Sequence, residues 1–590
     1  MNRRRPIFRL SAALLITPVL AFMAVQDRGP AAPVSAVASE AAPPIVAAAR
    51  TAAVVNLSND LQRLIDGAGW SSDRWSVLVV SLDKGDTLFA HQADTHLAPA
   101  SGLKLFTTAA ALYYLGPEFR YSTFLLADGK IENGVLNGDL VVYGTGDPSF
   151  TARFGRRDGV WHAFADTLVA LGVKEVRGSV IGDASYFAGR GTGTGWQEDY
   201  IGASYAAPSS ALSYGENIAT LEIRPRAVGE PPFVGLADGA SEITVVNHAT
   251  TVARGRSFIH VARSSYDSPL EVRGQISRGT KSIQRTVPVA DPAQYAAAVF
   301  KKILHDKGIT VVGPTKSVTE GAASPVTGRM VFAPALDEKQ PVRVLAIYQS
   351  PPLIDILEIV NKKSHNLMAE QTLRTVGRVA LGEGSVEAGE KAVIQLLVSE
   401  TGDVPEGFDM DDGSGLSVLD RASARNFIHL LSFMAKSPMF QSYWETLPEA
   451  GVPNGLRRMG GTPASGNLRA KTGTIDNVSS LSGYVRARDG ERLAFSIISN
   501  SVPSTYRAKR IEDAIGIRLA SFDRNNDQPM SIAPVKEKAT KSSGRTALVR
   551  RGDTLQKIAR RNGTSVAALQ RANPGLTNPR LKAGRRIKLP

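Results

Sequence analysis

SGLKLFTTAAALYYLG, residues 101–116, is the stretch on which the fold turns. It reads as an apolar helix whose first turn carries Ser101 and Lys104 three residues apart, on one face. An amine beside a hydroxyl can take its proton, and that makes an ordinary serine a nucleophile without any histidine. Alone, the pair equally fits a surface lysine one turn beyond an N-capping serine. An SxxK arises by accident roughly twice in a chain of this length. What the rest of the sequence sets around it has to decide.

Two short motifs follow in order. Ser364-His365-Asn366 falls in a predicted loop between a helix starting near Pro352 and another starting at Leu367. Lys471-Thr472-Gly473 ends the strand-like NLRAKTG. Each is weak by itself, but the ordered triple S-x-x-K, S-x-N, K-T-G is a specific signal of an acyl-transfer serine enzyme. The chemistry explains the set. Ser101 attacks a peptide carbonyl, and Lys104 accepts its proton if burial and neighbouring charge hold the amine near neutrality. Ser364 can relay that proton to the leaving amine, and Asn366 can orient Lys104 and the substrate amide. Lys471, Thr472 and Gly473 offer a cation and strand donors to a terminal carboxylate. The N–H groups of Ser101 and Thr474 are the expected oxyanion donors.

Composition bounds the rest. A chain of 590 residues has room for about three or four domains. Its 0 cysteines exclude a thiol nucleophile, a thiolate zinc site, disulfides and a lipidated N-terminal cysteine. The 8 histidines form no HExxH and no zinc spacing, so neither metal nor cofactor is expected. The charge is lopsided: from Lys536 to Pro590, 15 Lys+Arg face 2 Asp+Glu, so the tail holds nearly all of the net +14.

MNRRRPIFR followed by the apolar run Leu10–Val25 has the pattern of a secretory signal. As a helix the run spans about 24 Å, short of a bilayer core, and Pro18 interrupts it. Residues 1–26 are therefore expected to be a signal peptide or an uncleaved anchor, with the body exported to a periplasmic or cell-envelope location. Residues 27–54 and 525–545 read as linkers. Between them, Trp75–Leu82 and Thr87–Ala90 form a predicted hairpin, strand signals dominate from about Tyr121 to Thr310, and Leu481–Ala487 pairs with Arg492–Ser499 as a closing hairpin. The simplest division is an α/β domain in two segments, 55–120 and 335–524, split by a long, mostly β insertion at 121–334.

At this point the chain resembles the class C, low-molecular-mass penicillin-binding proteins, which are D-alanyl-D-alanine carboxypeptidases and endopeptidases. The resemblance covers about 60–505 and includes NGDLVVYGTGDPSF (137–150), IGDASYF (181–187), GWQEDY (195–200), PSSALSYGENIATLEIRP (208–225) and DGSGLS (412–417). It implies an α/β serine transpeptidase, β-lactamase-like fold with domains inserted before the SxN. It also implies peptidoglycan stem peptides as substrate and β-lactams as covalent inhibitors. His365 departs from the family, which often has Asp there.

The tail, 547–590, resembles a LysM module: a small β-α-α-β domain with GDTL-x-x-IA near its start and L-x-x-G-x-x-I-x-x-P near its end. This makes 546–590 a peptidoglycan-binding domain by resemblance, with N-acetylglucosamine-containing glycan as partner. Gly552, Asp553, Thr554 and Asn573 are the candidate contacts, although capping and turn geometry would account for the same residue types. No aromatic residue lies in 547–590 to stack on a base, so nucleic acid is not an expected partner. Membrane contact is expected only through an N-terminal anchor. The resulting reading is a serine-type D-Ala-D-Ala carboxypeptidase/endopeptidase tethered to glycan. Its rivals are a wall-binding scaffold with a vestigial hydrolase domain and a β-lactamase.

Overall fold

The structure, a computed structural model, describes residues 51–237, 243–327, 342–401, 405–527, 529, 546–549, 554–562, 564, 566–573 and 585–589. The expected signal or anchor lies outside them, as does the expected linker 27–54 up to residue 50; its last residues, 52–54, belong instead to the helix Ala52–Asp66, where Val54 is buried under the catalytic sheet. Among the described residues no helix is long and apolar enough to cross a membrane.

A five-stranded antiparallel sheet carries Lys471-Thr472-Gly473 on its edge strand, in the order Arg469–Ile475, Val478–Arg486, Arg492–Ser499, Trp75–Ser81, Thr87–His91. Both faces are covered, so the central strands read as apolar runs with little alternation. Successive side chains still part company by strand geometry. Val77 and Val79 join Leu481, Phe495 and Ile497 under the helices Ala52–Asp66 and Thr505–Ala520. Leu78 and Val80 face the opposite core, with Phe106, Phe427 and Tyr484. On that side Ser76 Oγ accepts from Ala424 N at 3.1 Å, which fixes the start of the helix Ala424–Lys436 against the sheet.

The inserted strands leave this unit after Tyr121 and return at Ser350. The leading strand Ser122–Glu132 pairs antiparallel with the returning strand Arg343–Gln349. Tyr121 and Ser350 close the neck: Ser350 N donates to Tyr121 O and Tyr121 N to Ser350 Oγ, both at 3.0 Å. Residues 343–349, placed by sequence in the second catalytic segment, are therefore part of the inserted sheet. That sheet also contains Val135–Gly144 and four shorter strands, and it packs with the helices Gly159–Ala170 and Pro292–Asp306 around Trp161 and Phe300.

At the C-terminus, Thr546–Leu548 and Arg586–Lys588 pair antiparallel, with helices Leu555–Arg561 and Val566–Ala572 between them. Val549, Ile558, Leu569 and Ile587 form their core.

Candidate active site

The three motifs meet where the nucleophile turn abuts the edge strand of the catalytic sheet. Ser101 sits in a 3-10 turn, Ala100–Leu103, and the α-helix begins only at Lys104. The turn is tighter than the continuous helix expected from sequence, and the preceding Ala100 is held at a left-handed φ of 47°. Gly415 packs on that peptide so closely that a Cβ there would lie 1.9 Å from Ala100 O.

Lys104 is fully buried, and its Nζ donates to Ser101 Oγ (3.0 Å), Asn366 Oδ1 (2.8 Å) and Ser414 O (2.5 Å). All three hydrogens of an ammonium are thus satisfied. Losing one proton turns a lone pair towards the serine. Burial pushes the Lys104 amine down to about 8, against the pull of Asp412, Glu370 and Asp420.

Ser364 turns the chain with a left-handed φ of 55°, and Asn366 is the first residue of the helix Asn366–Leu381, one residue earlier than expected. His365 caps that helix. Lys471 Nζ donates to Ser364 Oγ at 2.9 Å and to Thr472 O at 2.8 Å. Burial, then the charge of Lys104, drive the Lys471 amine well below its usual range. Lys471-Thr472-Gly473 lies inside the strand Arg469–Ile475 rather than at its end, and Thr474 follows exposed on the same strand. Gly473 is required by contact: a Cβ would lie 2.3 Å from Ser480 Oγ and 2.4 Å from Pro99 O.

DGSGLS forms a loop packed against the start of the Lys104 helix, with Thr107 Oγ1 donating to Gly413 O at 2.7 Å. The Asp412 carboxylate accepts from Ser414 N (2.8 Å), Gly415 N (2.5 Å), Ser417 N (2.8 Å) and Trp196 Nε1 (2.8 Å). Glu370 accepts from Gly413 N at 3.1 and 3.0 Å, and Asp420 from Asp411 N at 2.9 Å. Burial raises both carboxyls, and the Asp412 charge raises them further. Sequence reasoning missed Glu370 and Asp420 as members of the site. Glu370 gives no signal in MAEQT, where a lone Glu reads as a solvated face. Among the described residues, no group of three or more His, Cys, Asp or Glu could hold a metal ion.

The structure therefore brings Ser101, Lys104, Ser364, Asn366, Lys471, Thr472 and Gly473 together in one site. The glycan candidates divide differently. Gly552 and Asp553 lie outside the described residues. Thr554 Oγ1 accepts from Lys557 N at 3.2 Å as a helix cap. Asn573 clasps the last strand, with Nδ2 donating to Lys588 O and Oδ1 accepting from Lys588 N, both at 2.8 Å. Its amide is engaged inside the fold.

The D-Ala-D-Ala carboxypeptidase 3 (S13) family model matches residues 57–522, and the LysM domain model matches 548–590. A D-alanyl-D-alanine carboxypeptidase of Actinomadura sp. is 32% identical over 496 residues, covering 82% of this chain and 87% of its own. The D-alanyl-D-alanine carboxypeptidase DacB of Haemophilus influenzae is 26% identical over 492 residues, 80% of this chain and 94% of its own. The crystal structure of penicillin binding protein 4 from Haemophilus influenzae superposes with a TM-score of 0.63 at 25% identity, over 78% of this chain and 97% of that one.

Proposed function

Because the chain belongs to the D-Ala-D-Ala carboxypeptidase 3 (S13) family and carries a C-terminal LysM domain, we propose that this serine-type carboxypeptidase works through an acyl-enzyme on Ser101. The observation that carries the reading is the fully buried Lys104 amine 3.0 Å from Ser101 Oγ. With its amine at about 8, roughly a tenth of Lys104 is neutral at pH 7. That fraction takes the Ser101 proton as Oγ attacks the carbonyl of the penultimate D-Ala. The oxyanion lies between the N–H groups of Ser101 and Thr474. As the tetrahedral species collapses, Ser364 relays the proton held on Lys104 to the departing D-Ala amine, which returns Lys104 to its neutral form, and Asn366 keeps Lys104 aimed. Burial and the Lys104 charge disfavour the charged form of Lys471, and the substrate carboxylate, which Thr472 and Gly473 align on the strand, favours it. Water then enters by the same base and frees the acyl group.

Peptidoglycan stem peptides are the proposed substrate, cross-linked ones included, and β-lactams the proposed acylating inhibitors; the β-lactam complex of a related penicillin binding protein 4 supports this. The LysM domain would hold the enzyme on N-acetylglucosamine-containing glycan in the periplasm or cell envelope, with Gly552, Asp553, Thr554 and Asn573 the contact candidates. The catalytic unit is proposed to comprise the two segments on either side of the inserted strands.

Radiolabelled or fluorescent penicillin followed by peptide mass spectrometry tests the assignment. The label is expected on Ser101 and is expected to vanish in Ser101→Ala. A label that survives the substitution defeats it. Muropeptide turnover that depends on Lys104 eliminates a vestigial scaffold, and an acyl-enzyme stable for minutes eliminates a β-lactamase.

A further inference from the structure

We infer that Glu216, in the inserted part of the chain, is a positioning residue for the Ser364-x-Asn366 turn and acts on it through His365. The inference rests on the acyl-transfer reading above and adds a residue that none of the three motifs contains.

Two unusual turns meet beside the site, joined by a contact between Glu216 and His365. On the inserted side, Gly215, Glu216 and Asn217 are three successive left-handed residues, with φ of 61°, 61° and 52°. L-residues avoid that region unless something holds them there. Asn217 has its own reason: its Oδ1 accepts from Tyr214 N at 3.2 Å and its Nδ2 donates to Pro208 O at 2.8 Å. Glu216 has no such local tie. Its side chain is delivered outward, and its carboxylate collects donors from three directions. Oε1 accepts from Thr151 Oγ1 and Arg153 Nε, each at 2.7 Å, and Oε2 pairs with His365 Nε2 at 3.0 Å. The His365 and Glu216 side chains retain only 12% and 19% of their exposure, so water screens this bond weakly. Burial raises the Glu216 carboxyl, but His365, Arg153 and Thr151 together hold it below the usual range.

On the catalytic side, His365 lies between Ser364, itself left-handed, and Asn366. Its two ring nitrogens have separate duties. Met368 N donates to Nδ1 at 3.4 Å, so Nδ1 is the unprotonated nitrogen and Nε2 carries the hydrogen directed at Glu216. One ring thus caps the helix and anchors the turn. The neighbouring Asn366 is tied to the inserted part as well, its Nδ2 donating to Tyr205 O at 2.9 Å while its Oδ1 holds Lys104. The turn that presents Ser364 to Lys471 is therefore gripped from the inserted side at two successive residues.

The two duties of His365 can be separated by substitution. Asn reproduces Nδ1, the cap, but its amide falls short of Glu216. Gln places a donor where Nε2 stands but is a poor cap. If Glu216 acts through His365, H365N behaves like E216A and H365Q stays near the parent. A merely structural role for His365 predicts the reverse order, because the better cap wins. The experiment measures the rate constant of penicillin acylation and the non-covalent binding constant for the parent, E216A, H365N, H365Q and the double variant E216A/H365N, with thermal melting for each. We expect E216A and H365N each to lose about tenfold in the acylation rate constant, the scale of one charge-assisted hydrogen bond. Binding should be little changed, and the double variant should lose no more than either single one. H365Q should stay within about threefold of the parent. E216A acylating at the parental rate, additive losses in the double variant, or H365N faster than H365Q each overturns the inference. If E216A does not fold, the order of H365N and H365Q still decides. A parent that is not acylated at all overturns the acyl-enzyme reading instead, and is told apart by that.

Discussion

Gly473→Ala is a one-carbon perturbation whose effect can be worked from the contacts. The new Cβ would sit 2.3 Å from Ser480 Oγ, 2.4 Å from Pro99 O and 2.9 Å from Gly102 N. An ordinary van der Waals contact needs about 3.4 Å or more. Ser480 cannot swing away cheaply, because its Oγ donates to Pro99 O at 2.7 Å and is buried. The other two obstacles are backbone of the nucleophile turn. The strand and the turn must therefore separate by about 1 Å, and a misplacement of that size costs about 100-fold in a reaction that depends on aligned groups. Overpacking of this kind destabilises by about 1–3 kcal/mol, too little to unfold a unit with cores this large. The assay is penicillin acylation under pseudo-first-order conditions with parallel melting curves. Gly279→Ala serves as control, because a Cβ there meets nothing within 4 Å. We expect Gly473→Ala to lose about two orders of magnitude in acylation with a modest drop in melting temperature, and the control to lose neither. Acylation within threefold of the parent at an unchanged melting temperature would refute the claim that strand and turn are held at this distance.

Further outcomes follow from the charges and the tail. The acylation rate should rise with pH and level off above about 8, because only the neutral Lys104 amine accepts the serine proton. Asp412→Asn removes the carboxylate that most raises that amine, so the midpoint of the same pH–rate curve should move to lower pH; a move to higher pH would contradict the placement of charge. Arg518 is buried between Asp60 (2.8 Å) and Asp527 (3.0 Å), and Arg518→Leu removes the guanidinium they share, leaving Asp60 its pair with Arg63 and taking from Asp527 its ion-pair partner. It should cost about 3–5 kcal/mol in denaturant titrations, with the acylation rate of the folded fraction preserved. Removing residues 546–590 should leave hydrolysis of a small soluble D-Ala-D-Ala peptide unchanged and abolish co-sedimentation with insoluble peptidoglycan. Equal sedimentation of both forms would argue against the tail as a glycan anchor.

The parts of the site that were legible in the sequence are those fixed by short spacing or by a residue type with a single use. Ser101 and Lys104 announce themselves as neighbours, and Gly473 is glycine because Pro99 O and Ser480 Oγ leave no room for a Cβ. The hairpins of the catalytic sheet were also legible, since turn residues bracket β-branched runs. Long-range electrostatics was not. Glu216 and His365 are 149 positions apart, and neither residue type implies the other. The carboxyl groups of Glu370, Asp412 and Asp420 converge on Lys104 from a helix and a loop, and only the packing reveals that they are buried. Asn573 was ambiguous for a related reason: a polar residue at a turn reads the same whether it meets a ligand or, as its bonds to Lys588 show, ties down its own last strand.

The paired strands at the neck of the insertion also bear on how the catalytic site is assembled. Lys104 and Asn366, joined at 2.8 Å, are 262 positions apart in sequence, a contact that an unstructured chain reaches only by closing a long loop. Once Ser122–Glu132 has zipped to Arg343–Gln349, Tyr121 and Ser350 are neighbours, and the path between the two residues shortens about eightfold. At about 0.6 kcal/mol per doubling of loop length, this lowers the entropic barrier to bringing SxxK and SxN together by about 2 kcal/mol. The inserted part thus works as an intramolecular template. If it forms first, the catalytic unit can fold almost as though it were a continuous chain, and unzipping the neck would be felt first as a slower arrival of Asn366 at Lys104.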